Sequence, residues 1–159
     1  MLKFAVFKIA DEDFGVEISR VVEILKRQKT YSLPDLPDFL SGVINIRGEV
    51  IPLLDLRKRF GTHTPPKKER VLVVHCSGEK IGLLVDEIKE IISLSHEEVV
   101  APPSLFKGLK RRYLTGLGKK DDRIIILLDI DNLLTSEEKM VLEEAEGMFR
   151  EDAGTQKVT

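Results

Sequence analysis

The chain has few of the residues that carry redox, metal or covalent chemistry. Its 159 residues include one cysteine, Cys76, three histidines and no tryptophan, and aromatic residues make up only 6%. One cysteine excludes an internal disulfide, and the scattered positions of His63, His75 and His96 do not form a metal-ligand pattern. The composition therefore predicts no metal site and no cofactor.

An excess of charge of one sign and a long apolar run are also missing. The 25 basic and 27 acidic residues give a formal net charge of -2, which argues against a general nucleic-acid or membrane-surface binder. No apolar run approaches the roughly 20 residues needed to cross a bilayer. The N-terminal segment reaches charged residues too early for a signal peptide. We expect a cytoplasmic protein without direct membrane insertion.

The motifs of common enzyme classes are missing as well. Residues 116–118 lack the third glycine of a dinucleotide fingerprint and lead to a predicted strand. Residues 129–134 begin like a calcium loop, but two leucines replace the required ligand and glycine. The sequence has no P-loop and no Gly-x-Ser-x-Gly motif. We predict no catalytic residues, and an enzyme is an alternative for which we can name no substrate.

What the chain does contain is an internal repeat. Residues 4–25 align with residues 71–92 without a gap, and residues 50–56 align with residues 124–130. The aligned pairs include glycines and acidic residues: Gly15 with Gly82, Glu12 with Glu79 and Glu23 with Glu90. Each copy has the pattern of a hairpin, a spacer and a second hairpin. Short strands with frequent turn signals predict an all-β protein of two small curled sheets or barrels.

The repeat predicts how the chain is organised. We expect a single domain over residues 1–150, with one lobe at about 1–66 and a second at about 67–135. A C-terminal helix is expected at about 136–150, because apolar residues there recur at helical spacing. Residues 151–159 have the composition of a disordered tail.

The start of that helix carries its own signal. Thr135 and Glu138 have the spacing of a capping box, in which each side chain bonds the other residue's backbone N–H. The apolar stripe that follows consists of Val141, Leu142, Ala145, Met148 and Phe149.

The most informative segment is residues 42–57, which read GVINIRGEVIPLLDLR. Two apolar runs meet at Arg47 and Gly48, which predicts a hairpin whose turn presents a charged side chain. Strand alternation places Asn45 and Arg47 on one face, while Ile44 and Ile46 point into the lobe.

Three residues of this hairpin are expected to act through backbone geometry. Gly42, and Gly116 with which it aligns in the second copy, are expected to serve backbone geometry, because glycine enters positive φ without penalty, and Gly48 is expected at the turn. Pro52 predicts an edge strand or a bulge, because proline cannot donate a hydrogen bond to a sheet.

Basic clusters at residues 57–59, 67–68 and 107–112 are open to more than one interpretation. Such runs are usually solvated faces, and they can also steer an acidic protein partner. A nucleic-acid-binding small barrel is the alternative, and binding that falls steeply with salt would favour it.

Several segments together resemble one family. Residues 42–57 are similar to the signature of CheW, the chemotaxis coupling protein family. The other similar blocks are FGVEI at 14–18, VVEI at 21–24, LLVD at 83–86 and YLTGLG at 113–118. The resemblance covers nearly all of residues 2–150. It implies two five-stranded β-barrels packed side by side in a non-enzymatic adaptor.

The resemblance also implies partners and a site. The partners would be chemoreceptor cytoplasmic tips and the regulatory domain of the histidine kinase CheA, with recruitment to receptor arrays at the membrane and no nucleic acid bound. Val21 and Glu23 match positions implicated in receptor contact, Arg47 matches the signature arginine, and Asn45 shares its face. We hypothesise that Glu23 and Arg47 orient each other. A coupling protein of another chemosensory system, such as pilus-driven motility, stays open.

Overall fold

The computed structural model describes residues 1–32, 34–61, 68–102 and 111–144, which fold mainly into β-strands. The strands form where β-branched and other apolar residues are concentrated between turn residues. In chain order they are β1 (Leu2–Ile9), β2 (Glu12–Glu17), β3 (Val21–Lys26), β4 (Gly42–Ile46), β5 (Glu49–Asp55), β6 (Arg70–Cys76), β7 (Glu79–Val85), β8 (Glu87–Leu94), β9 (Val99–Val100), β10 (Leu114–Lys120) and β11 (Arg123–Leu128). A short helix, α1 (Leu56–Arg59), follows β5 directly.

These strands are divided between two sheets. The five-stranded sheet has the order β3-β6-β7-β5-β4, and the six-stranded sheet has the order β8-β1-β2-β11-β10-β9. Neighbouring strands are antiparallel except for two parallel pairs, β5 with β7 and β2 with β11. The predicted mostly-β fold with a C-terminal helix is confirmed.

The two copies of the repeat exchange their first hairpins. The β1–β2 hairpin of the first copy lies between β8 and β11 of the second, and the β6–β7 hairpin lies between β3 and β5 of the first. The parallel pairs correspond as well, since Gly15 lies opposite Leu127 and Gly82 lies opposite Leu53. At both glycines an added β-carbon would come within 3.1–3.2 Å of side chains on the parallel strand and its surroundings. The repeat in the sequence is therefore also a repeat in the strand pairing.

This exchange corrects the predicted lobe boundaries. Lobes at residues 1–66 and 67–135 would each keep their own first hairpin, whereas each sheet takes strands from both ranges. Equivalent strands of a repeat carry the same apolar pattern, so the pattern alone does not decide which copy a hairpin joins. The five-stranded sheet has the expected size, and the other gains the two-residue strand β9.

Among the described residues, apolar side chains pack in three clusters. One lies within the five-stranded sheet and contains Ile44, Ile46, Ile51, Leu53, Val71, Val73 and Leu84. A second lies within the six-stranded sheet and contains Phe4, Val6, Ile92, Leu94, Ile125 and Leu127. The third and largest joins the sheets and includes Phe7 of β1, Val74 of β6 and Leu83 of β7. Each sheet is thus curved around its own interior, and the two pack side by side.

The C-terminal helix begins as the sequence predicts. It is helical from residue 136 to residue 144, where the described part ends. The Thr135 N–H donates to Glu138 Oε1 at 2.9 Å, and the Glu138 N–H donates to Thr135 Oγ1 at 3.0 Å, so the capping box is present. Leu142 is buried. The predicted helical residues 145–150, with the rest of the apolar stripe, and the predicted tail at 151–159 lie outside the described residues.

We expect Thr135→Ala to lower the free energy of unfolding by about 1 kcal/mol, because the Glu138 N–H loses its acceptor. For a chain of this size that corresponds to a fall in Tm of roughly 2–4 °C, measurable by thermal denaturation. Glu137→Gln is the control, since Glu137 is exposed in the same turn. Equal Tm values for Thr135→Ala and Glu137→Gln would mean that the capping box does not contribute to the stability of the protein.

Candidate protein-interaction site

The β4–β5 hairpin turns through two residues with positive φ. Arg47 has φ of 51° and Gly48 has φ of 88°, and Ile46 pairs with Glu49 on either side of them. Two left-handed residues in a two-residue loop match the twist of antiparallel strands. The Gly48 N–H also donates to Asn45 Oδ1 at 2.9 Å. Asn45 therefore stabilises the turn that presents Arg47.

Alternation along β4 places the side chains as predicted. Ile44 and Ile46 are buried within the five-stranded sheet, whereas Asn45 and Arg47 are exposed. Burial of the isoleucines fixes the register, because a slip by one residue would put them in water. The outward direction of Arg47 is thus a consequence of core packing.

Arg47 binds Glu23 through two parallel hydrogen bonds. Its Nη1 donates to Glu23 Oε1 at 2.9 Å and its Nη2 to Glu23 Oε2 at 2.7 Å, a bidentate geometry that orients both groups. The hydrogen bond from Arg47 lowers the pKa of Glu23, and the same bond raises the pKa of Arg47. The Arg47 side chain remains 73% exposed, against 25% for Glu23. The hypothesis that these residues orient each other is confirmed.

A second ion pair extends this charged surface. Lys80 Nζ on β7 lies 3.1 Å from Glu49 Oε2, immediately after the turn. Lys80 also helps to lower the pKa of Glu23, and Glu49 helps to raise that of Arg47. Cations and anions therefore alternate across the surface, and exposed pairs of this kind contribute little to stability. Their main effect is to fix which charge an approaching partner meets.

The two edges of the five-stranded sheet meet beside this surface. Tyr31, beyond the end of β3, exchanges backbone hydrogen bonds of 2.8 and 2.9 Å with Val43 of β4. Gly42 sits at this seam with φ of +153°, and an added β-carbon would lie 2.6 Å from the Tyr31 carbonyl oxygen. The expected backbone role of Gly42 is confirmed. The seam and the Glu23–Arg47 pair hold β3 and β4 together.

Edge strand β3 adds apolar side chains that the family resemblance did not indicate. Val21 is half-buried against the core shared by the sheets, whereas Val22 and Ile24 are 38% and 42% exposed. The pairing of β3 with β6 shifts between Val21 and Glu23. Exposure alternates along β3, so that Val22, Ile24 and Lys26 are exposed while Val21, Glu23 and Leu25 are partly buried. Exposed apolar side chains therefore lie on the same edge strand as Glu23, on its other face.

Pro52 does not lie on an edge strand. β5 has β4 on one side and β7 on the other, and Pro52 faces Val43 in a register without a bulge. Pairing of β5 with β7 begins only at Leu53, so that neighbour requires no donor from the proline. The prediction of an edge strand or a bulge was wrong. A proline fits in this internal strand because it precedes the part of β5 that pairs with β7.

The basic cluster at residues 57–59 is not a solvated face. Arg57 is 8% exposed and donates to the carboxylates of Asp55, Glu69 and Asp86. Arg59 makes two hydrogen bonds to Glu138, at 3.2 and 2.8 Å. Two of the three cations are thus paired within the protein, which weakens the nucleic-acid alternative at this cluster.

The side chains suited to metal binding do not cluster in the part of the chain that the structure describes. No group of three or more His, Cys, Asp or Glu side chains there could hold a metal ion. Cys76 is buried and donates to the Ile130 carbonyl, and burial raises its pKa. None of the helices formed by the described residues has the length and apolarity needed to span a bilayer.

Two curved sheets that present a fixed charged turn next to an exposed edge strand define a protein-binding module. The comparisons with known proteins identify which one. A family model described as the CheW-like domain matches residues 3–138, and the chain belongs to that family.

Individual relatives agree with this assignment. The chain is 34% identical to the chemotaxis protein CheW of Klebsiella aerogenes over 143 residues, which cover 89% of this chain and 86% of the relative. It is 30% identical to the chemotaxis protein CheW of Treponema pallidum over 138 residues, covering 83% and 81%. The crystal structure of the scaffolding protein TtCheW from Thermoanaerobacter tengcongensis superimposes with a TM-score of 0.79 at 33% identity, covering 86% of this chain and 96% of that one. The chain is a chemotaxis adaptor and not an enzyme.

Proposed function

We propose that this adaptor couples the cytoplasmic tips of chemoreceptors to the regulatory domain of the histidine kinase CheA, within receptor arrays at the membrane. The receptor-facing surface contains Val21, Glu23, Asn45 and Arg47. The observation that carries the proposal is the exposed, bidentate Glu23–Arg47 pair at the seam of the five-stranded sheet.

The chemistry of this surface suits a helical partner. Val22 and Ile24 on the exposed face of β3 offer apolar contact, and the ion pairs of the same sheet offer directed polar contact. A helix that packs on a groove or edge uses an apolar stripe for affinity and flanking polar residues for orientation. The tip of a chemoreceptor is a helical hairpin, so it can present both.

The backbone at Arg47 supports a role for its side chain in binding. Arg47 adopts a left-handed conformation that favours glycine and asparagine. An arginine at such a position is disfavoured locally, and its exposed ion pair offsets little of that strain. The presence of a guanidinium at this position is explained if it contacts a partner.

We expect Arg47→Glu to weaken binding to a receptor cytoplasmic fragment about tenfold or more, because the variant places like charges at positions 47 and 23 on the contact surface. Binding to the kinase regulatory domain and Tm should stay close to the parent values. Both affinities can be measured by calorimetry, and Tm by thermal denaturation.

Two further variants make the result specific. Arg123→Glu is the matched control, because Arg123 pairs with Glu90 on the six-stranded sheet. The double variant Glu23→Arg with Arg47→Glu restores an ion pair with its direction inverted, so it separates stability from recognition. Receptor binding that survives Arg47→Glu would contradict the site, and unfolding of that variant would mean that Arg47 is structural.

A further inference from the structure

Of the ion pairs that join the first copy of the repeat to the second, two lie at the junctions of the exchanged hairpins. Arg57, after β5, donates from Nη1 to Asp86 Oδ1 at 3.4 Å. Arg20, before β3, makes a bidentate pair with Asp131, at 3.0 and 2.6 Å. In both pairs the arginine belongs to the first copy and the aspartate to the second. Each pair therefore forms only when unlike copies pack together.

Each aspartate also accepts a hydrogen bond from a backbone N–H in a hairpin turn. Asp86 Oδ2 accepts the Ala10 N–H at 2.8 Å, at the β1–β2 turn. Asp131 Oδ1 accepts the Ser77 N–H at 3.1 Å, at the β6–β7 turn. Ala10 and Ser77 are equivalent in the repeat alignment. The two sites are thus copies of one arrangement, built at the junctions of the exchanged hairpins.

The charges at these equivalent sites are inverted. In the repeat alignment Arg57 corresponds to Asp131, and Asp86 falls one residue from the position of Arg20. If a first copy packed with another first copy, Arg57 would meet Arg20. If a second copy packed with another second copy, Asp131 would meet Asp86. Like charges would oppose both pairings, while the native pairing makes two attractive contacts.

A third residue reinforces this selectivity at the buried site. Glu69, also from the second copy, accepts from Arg57 Nη2 at 3.2 Å. Its equivalent in the first copy is Leu2. Packing of first copy with first copy would therefore replace an acceptor by an apolar side chain as well as placing Arg20 beside Arg57.

We propose that the inverted pairs Arg57–Asp86 and Arg20–Asp131 specify the pairing of unlike copies, and that they prevent a hairpin from packing on its own copy within one chain or on the like copy of a second chain. The alternative pairings share the native apolar pattern, so charge is the property that distinguishes them. The pair Glu23–Arg47 lies within the first copy. It is unchanged by the choice of partner and supplies an internal control.

The test is the double variant Arg20→Asp with Asp131→Arg in the full chain. It keeps the net charge and keeps opposite charges in the native pair. In pairings of like copies, however, the carboxylate introduced at position 20 would meet Arg57, and the guanidinium introduced at position 131 would meet Asp86. We expect refolding from denaturant at high chain concentration to give about tenfold more hairpin-swapped dimer than the parent chain, measured by light scattering after size-exclusion chromatography. The dimer should persist on dilution, because its release requires unfolding.

The control is Glu23→Arg with Arg47→Glu, which inverts a pair inside the first copy and should refold like the parent. A variant of Arg20→Gln with Asp131→Asn removes the repulsion without adding charge, and it covers the case in which the inverted variant does not fold. The proposal would be overturned if no folded variant at Arg20 and Asp131 formed more hairpin-swapped dimer than the parent chain. An equal increase in the control, or a dimer that dissociates on dilution of native protein, would also overturn it.

Discussion

Replacing Arg57 by methionine is expected to lower the free energy of unfolding by about 3–5 kcal/mol, and Tm by roughly 10 °C. The side chain is 8% exposed and donates to three carboxylates, two of which belong to nearly buried aspartates. Methionine fills similar space but leaves these carboxylates without their shared cation. The loss of a single partner from a buried ionic cluster costs more than the cluster contributes as a whole.

Lys58→Met is the matched control for this prediction. It removes a cation from the neighbouring, exposed position of the same short helix, so it should change Tm little. Arg57→Lys should fall between the two, because it keeps the charge but loses the fork of donors that reaches several acceptors. If Arg57→Met and Lys58→Met have the same Tm in thermal denaturation, the ionic cluster around Arg57 does not stabilise the fold as inferred.

Short-range patterns in the sequence were sufficient for much of the site. The alternation of Ile44, Asn45, Ile46 and Arg47 follows from the two-residue period of a strand with one buried face. The capping box at Thr135 depends on residues three apart. The Glu23–Arg47 pair required the family resemblance in addition, because nothing local connects β3 with the β4–β5 turn.

The features that sequence reasoning missed depend on which distant segments meet. Arg57 has the local composition of a solvated cluster, and only the convergence of Asp55, Glu69 and Asp86 explains its burial. The exchange of hairpins was missed because equivalent strands have equivalent apolar patterns. Gly116 shows the same limit: it was aligned with Gly42, but it lacks positive φ and is required for a close approach to the Val100 carbonyl.

Strand β5 connects the two charged features of the first copy. Its N-terminal end follows Arg47 on the exposed turn, and its C-terminal end leads to Asp55, which caps α1 through the Arg57 N–H at 2.9 Å. The exposed pair at one end belongs to the surface proposed to face the receptor, and the buried cluster at the other end joins the sheets. The CheW signature in residues 42–57 therefore contains both the proposed recognition element and an assembly element.

The second large effect is expected for Gly42→Ala, which should lower the free energy of unfolding by about 2–4 kcal/mol. A β-carbon would lie 2.6 Å from both Thr30 Cγ2 and the Tyr31 carbonyl oxygen, and φ of +153° is unfavourable for any residue with a side chain. The carbonyl cannot move away without loss of its hydrogen bond from the Val43 N–H. Strain is therefore expected to open the seam between β3 and β4.

Gly78→Ala separates the two causes of this loss, because Gly78 has φ of +84° but a β-carbon there would have nothing within 4 Å. It should cost only about 1 kcal/mol, the contribution of backbone conformation alone. Hydrogen exchange provides the local measurement: the Tyr31 and Val43 amides should exchange faster in Gly42→Ala than in Gly78→Ala at matched stability. Unchanged protection at both amides would show that the seam does not depend on Gly42, and that the Glu23–Arg47 surface beside it is held by the ion pair and the core alone.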